Sequence, residues 1–199
     1  DTDSSLGRIG AFYNDRFSKT WRGRFGANIE AESYQQGSEP RKNVTYLLPG
    51  TGFTELELPE GIDPLSGHKT WMEAWGSLPA LGADTAFLRL NAGYKRLFGL
   101  GGSQLLVARA EVGAISTGDI NQIPASQRFF TGGDTTVRGF DYESLSTTDA
   151  AGELIGGRYL NVASLDYSIK VAESWRAAVF VDAGRAYIDM DEPWHKAVG

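Results

Sequence analysis

The 199-residue sequence contains no cysteine and only two histidines, and acidic residues outnumber basic ones. Without cysteine these residues can form neither a disulfide framework nor a thiolate zinc site, and they hold no thiol nucleophile. The formal net charge is −6. This argues against nucleic acid as a partner, because binding to phosphates depends on an excess of basic residues.

Long apolar runs are also missing. Nowhere do about 18 apolar residues follow one another, so the sequence predicts no transmembrane helix. This leaves open the closed β-barrel, the other structure that satisfies its backbone hydrogen bonds within a bilayer. No amphipathic 3.6-residue pattern persists for three turns, and no low-complexity linker divides the chain. We therefore expect little helix and a single domain over residues 1–199.

Strict alternation of apolar and polar residues is the recurring signal. In residues 21–32 Trp21, Phe25 and Ile29 belong to one set, and Arg24 and Glu30 belong to the other. A period of two places such sets on opposite faces of a β-strand. The pattern recurs at 86–95, 106–114 and 175–184, and more weakly near 6–14, 43–58, 68–78 and 158–170. The sequence therefore predicts eight strands, with a ninth beginning in the last residues.

The lengths of these strands and of their connections favour a membrane barrel. Several predicted strands reach the about 9–11 residues that a tilted strand needs to cross a bilayer. Short turns alternate with longer connections, as in outer-membrane barrels. Large aromatic residues lie near strand ends or on the apolar faces, where interface belts place them: Trp21, Tyr34, Trp71, Trp75, Tyr94 and Trp175. The longest connection is 117–157, and loops of this length are usually functional.

The long connection contains the stretch RFFTGGDTTVRGFDY, residues 128–142. Its paired glycines, Gly132 and Gly133, allow a tight turn and a close approach of the backbone to a wall. A nucleotide-binding P-loop is disfavoured, because that motif ends in Gly-Lys-Ser/Thr and opens a helix. An inward-folded loop that enters a barrel lumen is the interpretation we prefer.

Arg138 is the basic residue at the centre of this loop. Its guanidinium offers five donors and a permanent charge. Asp182 lies on the polar face of the predicted strand 175–184 and therefore points into the same lumen. A charge-assisted pair between two such side chains would pin the loop to the wall, and the resemblance described next implies this pairing. We also expect Phe140 and Tyr142 to pack around the pair.

These residues resemble the conserved signature of the outer-membrane assembly and secretion barrels, the family of BamA, TamA and the two-partner secretion transporters. The family core of Gly-Gly, a spacer and Val-Arg-Gly-aromatic is present as Gly132, Gly133, Val137, Arg138, Gly139 and Phe140. A second motif, aromatic-x-Asp-x-Gly, is present as Phe180, Asp182 and Gly184. One strand separates the two motifs in the family, as the predicted strand 158–170 does here. The chain is similar to TamA-type proteins over about residues 50–190, including the turn DPLSGHK.

The resemblance implies an all-β fold: a fragment, about strands 6–13, of a sixteen-stranded transmembrane antiparallel barrel. It implies a single partial-barrel domain over 1–199 whose loop 117–157 folds inward, with the POTRA domains outside this segment. It also implies a place in the outer membrane of a Gram-negative bacterium and a role in inserting or secreting β-barrel proteins such as autotransporters, without ATP. The implied partners are outer-membrane lipid, unfolded outer-membrane proteins and an inner-membrane-anchored, TamB-like protein.

Several alternatives stay open at this point. The family also contains BamA-type insertases and two-partner secretion transporters, and a passive porin or a small closed eight-stranded barrel would share the strand pattern. We expect no enzyme, because His68 and His195 lie in predicted turns or loops without a neighbouring nucleophile. We expect no metal or cofactor, because the acidic residues after position 188 lack the ligand spacing of a calcium loop.

Overall fold

The computed structural model describes residues 4–35, 40–59 and 64–199. Nine strands form one antiparallel sheet in sequence order. They are β1 (Ser4–Arg16), β2 (Trp21–Tyr34), β3 (Lys42–Glu57), β4 (Gly67–Ser77), β5 (Phe87–Gly101), β6 (Gln104–Thr117), β7 (Tyr159–Ala172), β8 (Trp175–Tyr187) and β9 (His195–Val198). The eight predicted strands and the ninth are therefore confirmed. Asp63, the first residue of the predicted turn 63–67, lies outside the described residues.

Helix is nearly absent from the described residues. Three single-turn 3₁₀ helices occur, at Pro79–Leu81, Ile120–Gln122 and Ala125–Gln127. None of the helices in this part of the chain is long and apolar enough to span a membrane.

Every neighbouring pair of strands is antiparallel, and the registers bring distant residues together. Arg8 of β1 faces Glu30 of β2, and Ser164 of β7 faces Asp182 of β8. Within the described residues β1 and β9 are the edges of the sheet, which is open. The prediction of part of an antiparallel barrel is confirmed, and the alternative of a small closed eight-stranded barrel is wrong.

One face of the sheet, which we call the outer face, carries exposed apolar side chains. Ile9 is 72 % exposed. The same face exposes Ile29, Leu88, Leu90, Val112, Leu165, Val179 and Val181. Proteins surrounded by water rarely expose so extended an apolar surface, whereas strands that cross a bilayer present one to lipid. The alternation in the sequence thus predicted which residues face outward.

The opposite, inner face is covered by the connection between β6 and β7, residues 118–158, which we call the long loop. Ile123, Phe129 and Val137 of this loop are almost fully buried. The hydrophobic core lies between the loop and the inner face, and its members from the sheet include Tyr46 and Phe87. Hydrogen bonds link the loop to both β2 and β8, so the sheet must curve around it.

Some side chains lie elsewhere than predicted. Tyr34 lies at the end of β2 as predicted, but its ring is buried in the inner core and not in an interface belt. Trp75, assigned from the sequence to a strand end or the apolar face, packs against the inner core. Trp75 fits there because Gly50 has no side chain: a Cβ at Gly50 would lie 2.1 Å from the indole ring. His68 and His195, predicted in turns or loops, lie within β4 and β9.

Candidate functional site

The guanidinium of Arg138 lies against the carboxylate of Asp182. Nε donates to Oδ2 at 2.7 Å and Nη2 donates to Oδ1 at 2.7 Å, a bidentate arrangement that is among the stronger hydrogen-bonded pairs in proteins. The backbone N–H of Arg138 donates to Oδ2 at 3.0 Å. Asp182 is completely buried. The long loop is therefore fixed to β8 through both the main chain and the side chain of one residue.

Two residues of β7 complete the polar contacts of this arginine. Nη1 of Arg138 donates to Oδ1 of Asp166 at 2.5 Å, and Nη2 donates to Oγ of Ser164 at 3.1 Å. The hydroxyl of Ser164 in turn donates to Oδ1 of Asp182 at 2.6 Å. Sequence reasoning missed both residues. Their position two apart on the inner-facing set of the strand that precedes Asp182 is the signal that would have found them.

The aromatic partner of Arg138 is Phe180, not the rings predicted to surround it. The guanidinium carbon lies 3.6 Å from the centroid of the Phe180 ring, a cation–π contact. Phe140 packs against the imidazole of His195, and Tyr142 is 74 % exposed. The predicted shielding by Phe140 and Tyr142 is therefore wrong. Both rings follow Gly139, where the chain turns with a φ of +82°.

The two sequence motifs also fit together through their small residues. Val137 is completely buried, and a Cβ added to Gly184 would lie 2.7 Å from its Cγ2 atom. Gly184 therefore provides the space that seats Val137. Gly132 and Gly133 have φ values of +102° and +90°, a conformation that residues with a side chain rarely adopt.

Arg109 of β6 holds the loop from a third strand. Its guanidinium donates to the backbone carbonyls of Thr135 and Thr136, the two residues before Val137. The alternation in the sequence placed Arg109 on the polar face of its strand, but no role was predicted for this residue. The loop segment is thus held by side chains of β6, β7 and β8 together.

The electrostatics of the site favour a permanent tether. The hydrogen bond to Asp182, assisted by Asp166, raises the pKa of Arg138 above its usual value, so the guanidinium stays charged. Within the described ranges no group of three or more His, Cys, Asp or Glu side chains is placed to hold a metal ion. What this arrangement can do chemically is hold a glycine-rich loop in one position against the inner face.

An open antiparallel sheet with an apolar outer face and a loop fixed to its inner face is part of the wall of a transmembrane β-barrel. Residues 2–192 match the Omp85 superfamily domain, and the chain belongs to this superfamily. The resemblance drawn from the sequence is therefore confirmed at the level of the superfamily. Membership implies a location in the outer membrane of a Gram-negative bacterium.

The fold is also similar to a solved structure, the crystal structure of BamA from Haemophilus ducreyi lacking POTRA domains 1–3. The TM-score is 0.78 at 14 % sequence identity, and the match covers 94 % of this chain and 42 % of that one. At this identity the likeness concerns the fold alone. The chain spans less than half the length of that BamA structure.

Proposed function

We propose that this chain forms part of the barrel of an outer-membrane assembly or translocation factor, which inserts or secretes β-barrel proteins without ATP. The observation that carries the proposal is the pairing of Arg138 with the buried Asp182 in a member of the Omp85 superfamily. The apolar outer face supports the location in the outer membrane, because its exposed side chains suit contact with lipid.

The long loop, fixed against the inner face, suggests how the barrel wall is stabilised. It braces the inner face of the wall, so that strands on either side keep their spacing while a substrate is handled. This favours an assembly factor over a passive porin, because a porin needs a water-filled channel along its inner face. The proposal contains no catalytic step, and it gives His68 and His195 no enzymatic role.

We further propose a TamA-type protein that serves autotransporters and works with a TamB-like partner. The support is the sequence similarity over about residues 50–190. The test is copurification of the full-length protein from its native membrane. A TamB-like, inner-membrane-anchored partner supports the assignment. Accessory lipoproteins indicate a BamA-type insertase instead.

The assembly role is tested with the full-length protein in liposomes. The assay measures the rate at which an unfolded reporter barrel inserts, read as the folded, faster-migrating band on a gel. We expect Arg138→Ala to slow insertion about tenfold or more, since removing one member of a buried pair commonly costs about 3–5 kcal/mol. Arg138→Lys should be intermediate, because lysine keeps the charge but loses the bidentate geometry.

The matched control is Arg22→Ala, which removes an exposed arginine from the turn end of β2. It should insert the reporter at the wild-type rate. A folded Arg138→Ala protein that is as active as the wild type would refute the bracing role. Steady conductance without any insertion by the wild-type protein would indicate a porin.

A further inference from the structure

Two more buried carboxylates lie on β2, on the same inner face as Asp182 but six strands away from it. Glu30 and Glu32 are 0 % and 2 % exposed, and both contact the long loop ahead of Arg138. We propose that Glu30 and Glu32 form a second anchor, so that the loop is a strut fastened to β2 at one point and to β8 at the other. This inference rests on the proposed function, which it extends to the opposite wall.

The contact with Glu32 repeats the pattern found at Asp182. The hydroxyl of Ser126 donates to Oε2 of Glu32 at 2.6 Å, and the backbone N–H of Ser126 donates to Oε1 at 3.2 Å. One loop residue again binds a strand carboxylate through its main chain and its side chain. Such a contact fixes the position of the loop backbone as well as of one side chain.

The contact with Glu30 ties the loop to three strands at once. Oε2 of Glu30 accepts hydrogen bonds from Nε2 of Gln127 at 2.9 Å and from the hydroxyl of Tyr46 at 3.0 Å. Oε1 accepts one from Nε of Arg8 at 2.6 Å. A buried carboxylate is tolerated where donors satisfy its oxygens, and Gln127 supplies one of them. The burial of Glu30 and the position of the loop therefore depend on each other.

The two anchors hold different parts of the loop. Ser126 and Gln127 are fixed to β2, and Arg138 is fixed to β8, six strands further along the sheet. A loop held only through the segment 135–138 could swing about that segment. Held at both points it has one orientation, and it connects the wall near β1 and β2 with the wall near β7 and β8.

Trypsin provides a separate readout for each anchor, because Arg128 and Arg138 are both potential cleavage sites. Arg128 follows the β2 anchor directly and is 3 % exposed. We expect Glu30→Gln and Glu32→Gln, each made in the full-length protein in liposomes, to speed cleavage after Arg128 about tenfold by weakening a charge-assisted hydrogen bond. Cleavage after Arg138 should change less than about twofold. The fragments are assigned by mass spectrometry.

The matched control is Glu111→Gln on the inner face of β6. Glu111 accepts a hydrogen bond from Nδ2 of Asn91 at 3.0 Å, a contact between strands that does not involve the loop. This variant should leave both cleavage rates as in the wild type. A tenfold rise after Arg128 in Glu111→Gln as well would overturn the proposal, because it would show a general loosening of the wall.

A charge exchange separates the anchor from a merely structural role for these residues. Gln127→Glu alone places two carboxylates together, so it should release the loop from β2 and speed cleavage after Arg128 at least about tenfold. The double variant Glu30→Gln/Gln127→Glu again pairs an amide with a carboxylate at unchanged net charge, and cleavage after Arg128 should return to within about threefold of the wild type. A double variant no better protected than Gln127→Glu would overturn the second anchor.

Reporter insertion is measured on the same samples. If the trypsin cleavage rates change as expected but the rate of reporter insertion stays at the wild-type value, the second anchor is supported and the assembly role is contradicted. If the rate of cleavage after Arg128 is unchanged in Glu30→Gln, Glu32→Gln and Gln127→Glu, the second anchor is contradicted, whatever the rate of reporter insertion.

Discussion

Asp182→Asn is the most informative single substitution at the Arg138 site. The two oxygens of Asp182 accept four hydrogen bonds: three from the backbone N–H, Nε and Nη2 of Arg138, and one from the hydroxyl of Ser164. Asparagine has one acceptor oxygen and an NH₂ group of almost the same size. If the NH₂ group takes the place of Oδ2, it faces two donors of Arg138, the backbone N–H and Nε. If it takes the place of Oδ1, it faces Nη2, while the hydroxyl of Ser164 can turn and accept. Either way the change removes at least one charge-assisted hydrogen bond and the carboxylate charge without altering the packing.

The structure sets the expected magnitude. A hydrogen bond to a charged group contributes about 1.5–3 kcal/mol. The side chain of Arg138 is one-quarter exposed and keeps its contact with Asp166. We therefore expect a loss at the upper end of the range for one such bond, because the hydrogen bonds that remain also lose the carboxylate charge. We expect docking of the loop to weaken by about 3 kcal/mol, which corresponds to an increase of about a hundredfold in the released population.

Limited trypsin digestion of the full-length protein in liposomes measures that population, because Arg138 is still present in the variant and becomes a cleavage site when the loop leaves the wall. Cleavage after Arg138 should accelerate by roughly the same factor while opening is fast relative to cleavage. The matched control is Asp166→Asn, whose single remaining acceptor can turn toward Nη1 of Arg138, and it should show a much smaller effect. Equal cleavage rates for Asp182→Asn and the wild type would contradict the tether.

Three further substitutions test other features of the site and the wall. Gly184→Ala should lower the stability of loop docking by about 1–3 kcal/mol, because the added methyl group overpacks against Val137. Val137→Ala in the same chain should recover part of this loss. Trypsin resistance measured along a urea titration gives both values. Val112→Lys on the outer face should lower the free energy of unfolding by about 2–4 kcal/mol for a position near the bilayer midplane. Glu111→Lys on the inner face should lower it less. The urea concentration at which half of the folded gel band is lost measures both. Tyr142→Ala should leave both cleavage rates within about twofold, because an exposed side chain away from such contacts changes stability by about 0.5 kcal/mol or less.

Much of the wall could be predicted from the sequence, because a period of two is imposed by the strand itself. Ile9, Val112 and Val179 lie outward as the alternation required, and Asp182 lies inward. The alternation does not predict the facing of a large side chain where a glycine in the neighbouring strand makes room for it. Trp75 packs on the inner face over Gly50, and no pattern within its own strand indicates this.

Of the candidate site, the sequence predicted only the pair whose two members each belong to a recognisable motif. Arg138 and Asp182 were paired from the motifs and their order along the chain. The contact of Ser126 with Glu32 joins residues 94 positions apart, and its existence depends on the register of the strands and the curvature of the sheet. The stacking of Phe180 on Arg138 likewise depends on the position of the long loop relative to β8, which composition alone does not determine.

The position of the long loop in the chain has a consequence for biogenesis. Its buried residues, Ile123, Phe129 and Val137 among them, form a hydrophobic core together with strands on both sides of it in the sequence. Because the loop is covalently continuous with β6 and β7, it arrives with those hairpins rather than as a separate module. The long loop and the wall must then fold in the same cooperative step, because strands that folded without the loop would leave the nonpolar side chains of their inner face in contact with water.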